Sequence, residues 1–136
     1  MRRLLLLLLL IAFGLGFGAS TQNQGLFRGL DNAEVRNLSI RSGQKIQSPL
    51  TLAGEVRGAW FFEASLPVTL YDANGQAIAL APAQALTDWM TAEFVPFSVI
   101  LNFAMPNTLA GELVIRADNP SGELANDKEF RVPVTF

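Results

Sequence analysis

From Glu34 to the C-terminus the chain alternates apolar and polar residues with a period of two, in short segments broken by turn residues. Phe62, Ala64, Leu66, Val68 and Leu70 alternate with Glu63, Ser65, Pro67, Thr69 and Tyr71. Phe130, Val132, Val134 and Phe136 do the same against Arg131, Pro133 and Thr135. Successive side chains of a strand point to opposite faces, so this spacing demands half-buried strands and cannot place its apolar residues on one face of a helix. Val95, Phe97, Val99, Leu101 and Phe103 form the most continuous apolar face and predict a central core strand.

Turn residues punctuate the pattern at Gly43, at Asp72-Ala73-Asn74-Gly75, across Pro106 to Gly111 and at Asp118 to Gly122. About seven short strands over roughly 100 residues fit an all-β fold, an immunoglobulin-like antiparallel β-sandwich. The first strand is expected within Val35 to Arg41, with Leu38 and Ile40 facing inward. On the next, Leu50, Leu52 and Val56 share the inner face with Gly54, whose missing side chain leaves room for a large neighbour such as Trp60. The alternation puts Phe62 inside and Phe61 outside. Pro67 cannot donate to a ladder and implies an edge or a bulge. Asn74-Gly75 supplies the positive φ angles of a hairpin. The return strand is read from Gln76 to about Leu80, with Ala81 to Met90 as a connection or irregular strand. Leu113 and Ile115 face inward on the strand that follows.

Ahead of this domain, Met1-Arg2-Arg3 is a basic start and Leu4 to Ile11 an unbroken apolar run, followed by Gly16, Gly18, Ala19 and Ser20. That is the order of a secretory signal peptide. The apolar stretch Leu4 to Ala19 is 16 residues, short of the roughly 20 needed to span a bilayer. The expected organisation is residues 1–19 as a signal peptide or uncleaved N-terminal anchor, 20–33 as a linker and 34–136 as the sandwich. Such a protein is extracytoplasmic: secreted, periplasmic or associated with the cell envelope.

Composition narrows the function. The formal net charge of −2 becomes −4 once Arg2 and Arg3 leave with the leader, and the remaining basic residues form no run. This surface does not attract phosphate backbones, so no nucleic-acid partner is expected. The chain has no cysteine, which removes disulfides, thiolate metal sites and a thiol nucleophile. It also has no histidine, the commonest general base and metal ligand. No cofactor is implied, and the residue inventory weighs against an enzyme.

Three clusters remain as candidate sites. Trp60, Phe61, Phe62, Trp89, Phe94 and Phe97 are either core aromatics or a platform for a sugar ring or peptide. The candidate binding patch is Trp60, Phe61 and Trp89 beside Glu63 and Asp88, with Phe61 and Trp89 expected to be its exposed members. Glu63 and Asp88 also admit an alternative as the paired carboxylates of a carbohydrate-active enzyme. Asp118, Asn119, Glu123 and Asp127 surround Pro120 and Gly122, which reads as a plain turn or as a calcium-stabilised loop whose spacing is not that of an EF-hand.

Ser48-Pro49-Leu50, Gly54, Trp60-Phe61-Phe62-Glu63, Asp88-Trp89-Met90, Phe94-Val95-Pro96-Phe97 and Asn119-Pro120-Ser121-Gly122 occur in that order. In this series the chain resembles the immunoglobulin-like domain of bacterial spore germination, a small module found beside GerM domains and in other secreted bacterial proteins. The resemblance spans about Val35 to Phe136. It implies an extracytoplasmic accessory module that binds an envelope protein or cell-wall polymer and carries no catalytic residues.

Overall fold

A computed structural model describes residues 31–136; the leader and most of the linker lie outside the described residues. Eight strands follow one another: β1 (Val35–Arg36), β2 (Gln44–Lys45), β3 (Leu50–Arg57), β4 (Ser65–Asp72), β5 (Ala77–Ala85), β6 (Phe94–Leu101), β7 (Ala110–Arg116) and β8 (Glu129–Thr135). Single 3₁₀ turns occupy Gly58–Trp60 and Leu124–Asn126. Hydrogen bonding runs in the order β1-β3-β6-β5-β4-β7-β8-β2. Between β5 and β6 it rests on two residue pairs only, Gln84 with Ser98 and Ala85 with Phe97. The sheet curls at that seam into two halves, β1-β3-β6 and β5-β4-β7-β8-β2, the arrangement of an immunoglobulin-like sandwich.

The alternation places the core as expected. Leu52 and Val56 from β3, Leu66, Val68 and Leu70 from β4, Val95, Phe97 and Leu101 from β6, Leu113 and Ile115 from β7, and Val132 and Val134 from β8 are all buried. Phe103 lies beyond the end of β6 and is half-buried against the same core. Val114 and Thr69, paired across β7 and β4, are buried as well. They sit on the outer face, where Arg131, cross-strand from Val114, belongs to a charged network described below.

Four local expectations give way to tertiary structure. The opening strand shrinks to Val35–Arg36, because Asn37 takes a positive φ of 55° and interrupts the ladder with β3. Ser39 rejoins β3 only through an amide bond to the Ala53 carbonyl at 2.9 Å and a side-chain oxygen that accepts the Ala53 amide. The chain then crosses to the other half, where β2 pairs in parallel with β8; Ile40 is buried and Leu38 packs on the core from the crossover. Gly54 does make room for a ring, but the ring is Phe97. A Cβ there would lie 3.1 Å from Phe97 and 2.6 Å from Leu38. Strand β5 continues through Pro82 to Ala85. Pro82 faces Pro67 across β4, and the amide of Ala85 donates to the carbonyl of Ala64 at 2.8 Å. That bond sets the phase: Ala83 and Ala81 exchange hydrogen bonds with β4, while both prolines stand at positions that make none toward each other. Pro67 faces β7 where pairing with β7 has already ended at Val68–Ile115.

The fourth concerns the aromatics. Phe61 is 4% exposed and Phe62 is 41% exposed, the reverse of the alternation. The period of two does not extend through Phe62 to Ala64, because β4 begins only at Ser65. Phe62 and Ser65 exchange backbone hydrogen bonds of 3.0 and 3.1 Å, and the two residues between them, Glu63 and Ala64, have φ of 49° and 63°. This is a two-residue turn of type I′. It leaves Phe61 inside and Phe62 outside.

Candidate functional site

The aromatic segment and the connection from β5 to β6 meet at one end of the sandwich. The Gly58 amide donates to the Glu93 carbonyl at 3.0 Å, and the Asp118 amide donates to the Trp60 carbonyl at 2.8 Å. Gly58 itself is irreplaceable on steric grounds: a Cβ would fall 2.0 Å from the Thr91 carbonyl oxygen and 2.4 Å from that of Trp89. Trp60 is 2% exposed. Its indole N–H donates to the Glu34 carboxylate at 2.8 Å, and Lys128 Nζ stands 3.3 Å from the same oxygen. The indole bond, with smaller help from Lys128 and Arg57, holds Glu34 below the ordinary carboxylate range.

Trp60 and Phe61 are therefore structural and offer no surface for a partner. Trp89 is half-buried against the core. What this end does expose is Phe62, Leu86 at 61% and Met90 at 75%. Neither Leu86 nor Met90 carries a periodic signal, so only the fold reveals them as surface. Phe62 was obscured by the apparent alternation through Glu63 and Ala64.

The acids do not assemble into a catalytic pair. Glu63 sits on the type I′ turn and is exposed. Asp88 is exposed on the connecting loop, where its carboxylate accepts the Met90 amide at 3.0 Å and so shapes that loop. No hydrogen bond joins the two among the described residues. Glu93 is 3.9 Å from Arg57 and its side chain is 84% exposed. Phe94, next in sequence, has the guanidinium carbons of Arg36 and Arg57 each 3.8 Å from its ring centroid, so it is held in a cation–π arrangement on the outer face of the three-stranded half.

The acidic loop is organised by an amide. The Asn119 side-chain N–H₂ donates to the Asp127 carboxylate at 2.7 Å and to the Glu123 carbonyl at 2.8 Å. Ser121 donates to the Asn119 side-chain oxygen and accepts from the Glu123 amide and the Asn126 side chain. Among the described residues no group of three or more acidic side chains converges to hold a metal ion. One oxygen of Asp127, a ligand in the calcium alternative, accepts a hydrogen bond from Asn119 instead.

On the outer face of the five-stranded half, Arg131 pairs with Glu112 and Glu129, and Arg116 pairs with Glu129 at 3.1 Å and reaches the Tyr71 hydroxyl at 3.3 Å. Arg131, ahead of Arg116, holds Glu129 below the usual carboxylate range. Tyr71, Glu112, Arg116 and Arg131 line a shallow groove of about 460 Å³. Each guanidinium is already matched by carboxylate, so the groove presents no unanswered positive charge.

A family model for the immunoglobulin-like domain of bacterial spore germination matches residues 41–123. The chain belongs to this family. No curated protein matches it, and no solved structure does. The matched span opens after β1 and closes before β8. Within it lie residues that build the core and the loop end. Gly54 admits Phe97, Trp60 anchors Glu34, Asp88 caps the Met90 amide, and Asn119 with Ser121 closes the loop after β7.

Proposed function

We propose that this immunoglobulin-like module is extracytoplasmic and non-enzymatic, and that it binds an envelope protein or cell-wall polymer through the end of the sandwich that displays Phe62, Leu86 and Met90. The observation that carries this reading is the type I′ turn at Glu63-Ala64, which leaves Phe62 exposed while Ala64 is tied to Ala85, next to Leu86 in sequence. Non-glycine residues in the left-handed region cost about 1–2 kcal/mol each, and such strain concentrates at sites that contact ligands. The leader supports an address outside the cytoplasm, and the family supports an accessory module. Acids that are exposed and occupied in local loop geometry support binding over chemistry.

The test is retention of the purified protein on isolated envelope fractions. Phe62→Ser combined with Met90→Lys is expected to weaken retention at least about tenfold, the loss of one modest contact residue. Leu124→Lys, at an exposed site elsewhere, leaves it unchanged. Equal retention of all three proteins would refute this surface, and turnover of an envelope glycan that Glu63→Gln abolishes would replace binding with catalysis.

A further inference from the structure

The free margins of the sheet are treated unequally. β1 and β2 are two residues each and carry Arg36 and Lys45. The uncovered part of β8 carries Glu129 and Arg131. Short strands and charges are the ordinary means of preventing edge-to-edge pairing. β5 has neither: its nine residues, Ala-Ile-Ala-Leu-Ala-Pro-Ala-Gln-Ala, hold no charge at all. Its pairing with β6 covers only Gln84 and Ala85. The phase set by the Ala85–Ala64 hydrogen bond turns the backbone groups of Leu80 and Pro82 away from β4, toward the uncovered side. Leu80 is 68% exposed and Pro82 is exposed. A groove of about 390 Å³ separates the start of the strand at Ala77 and Ile78 from the loop at Met105 to Thr108, so the space beside the edge is open there.

We infer that β5 is a self-association edge and that its occupant is β5 of a second copy of this chain, paired antiparallel about a two-fold axis at Leu80. The sequence around Leu80 is close to symmetric. Two-fold pairing sets Leu80 against Leu80 of the second copy, Ala79 against Ala81 and Ile78 against Pro82. Leu80 supplies an amide N–H and a carbonyl, so the two copies exchange a reciprocal pair of hydrogen bonds at the axis. The flanking alanines keep steric demand low, and no like charge meets its image. Pro82 lacks an N–H, which limits how far the ladder extends and favours a closed dimer over a growing sheet. A heterologous partner strand lacks this argument, because nothing in β5 selects a side-chain pattern other than its own.

The experiment is sedimentation equilibrium of the full chain up to about 1 mM, the weak end of specific association. The wild type is expected to dimerise reversibly. Leu80→Lys places a charge against its own image, and Leu80→Pro removes the outward N–H together with the leucine side chain. Each lowers the association constant at least about tenfold with the circular-dichroism spectrum unchanged. The chain has no cysteine, so Leu80→Cys provides a register probe: a short bismaleimide links its dimer, and Leu109→Cys, 83% exposed at another site, is not linked. A wild type that stays monomeric throughout overturns the inference, as does dimerisation indifferent to both Leu80 variants. A monomer that instead protects the Leu80 amide on adding an extended alanine-rich peptide also overturns it, in favour of a partner's strand.

Discussion

Two tight turns bracket β4, and they solve the same geometric problem with opposite chemistry. At its C-terminal end, Asp72-Ala73-Asn74-Gly75 puts glycine at the one left-handed position, φ 77°. The Asp72 carboxylate accepts the amides of Asn74 and Gln76 at 2.9 and 3.0 Å. At its N-terminal end, Glu63 and Ala64 both stand in the left-handed region with no glycine, asparagine or aspartate to ease it. The first turn is what local energetics select. The second is held by its surroundings: the Ala85–Ala64 hydrogen bond on one side, and on the other Gly58 and Trp60, wedged against Trp89, Thr91 and Glu34. The first turn closes through its own residues, with one added bond from the Ala73 amide to the Thr108 hydroxyl, whereas the second marks where tertiary structure imposes a conformation.

The strongest way to break the imposed turn is to remove its buttress. Gly58→Ala drives a methyl into two backbone carbonyls, and fixed backbone has no rotamer in which to yield. Its expected cost is about 3 kcal/mol or more by chemical denaturation, with exposure of Trp60 reported by its fluorescence. A reciprocal pair of glycine substitutions separates the two turns. Gly75→Ala is expected to cost about 1–2 kcal/mol, because alanine gains nothing for its left-handed backbone. Ala64→Gly is expected to stabilise by up to about 1 kcal/mol, relief of the same strain less the extra chain entropy of glycine. Equal signs for the two would mean the turns do not differ as described.

The smallest effect is one of pH. Glu34, Glu55 and Glu129 are all held below the ordinary 4.5, first by the Trp60 indole, the Arg36 guanidinium and the Arg131 guanidinium respectively. A carboxylate with a depressed folded-state pKa contributes its full stability above its unfolded value and loses it as pH falls through the folded value. Stability should therefore be flat above about pH 5.5 and decline below 4.5. In Trp60→Phe, Glu34 loses its main partner, so the stability gap between wild type and variant narrows as pH falls. A gap that is constant from pH 7 to about pH 3 would show that the indole bond does not act through the ionised carboxylate.

What the chain settles by itself is the set of inner faces. Leu52, Val68, Phe97, Leu113 and Val132 are buried because burial of one face follows from a spacing of two wherever the backbone is extended. The loop after β7 was likewise legible as a turn, since Asn119 and Ser121 bond their own neighbours. The site was less legible. Glu63-Ala64 bears no turn signature, so in the sequence the alternation runs through it and exchanges the places of Phe61 and Phe62. The return strand is read only to about Leu80, because the tolerance of Pro82 depends on which way a missing N–H would point, a fact set by register with β4. Periodicity is a local property and reports which residues share a face. Where a period begins, which aromatic fills the space over Gly54, and which strand edge stays uncovered depend on contacts between residues distant in the chain. Those contacts exist only once the two halves of the sheet have closed on each other.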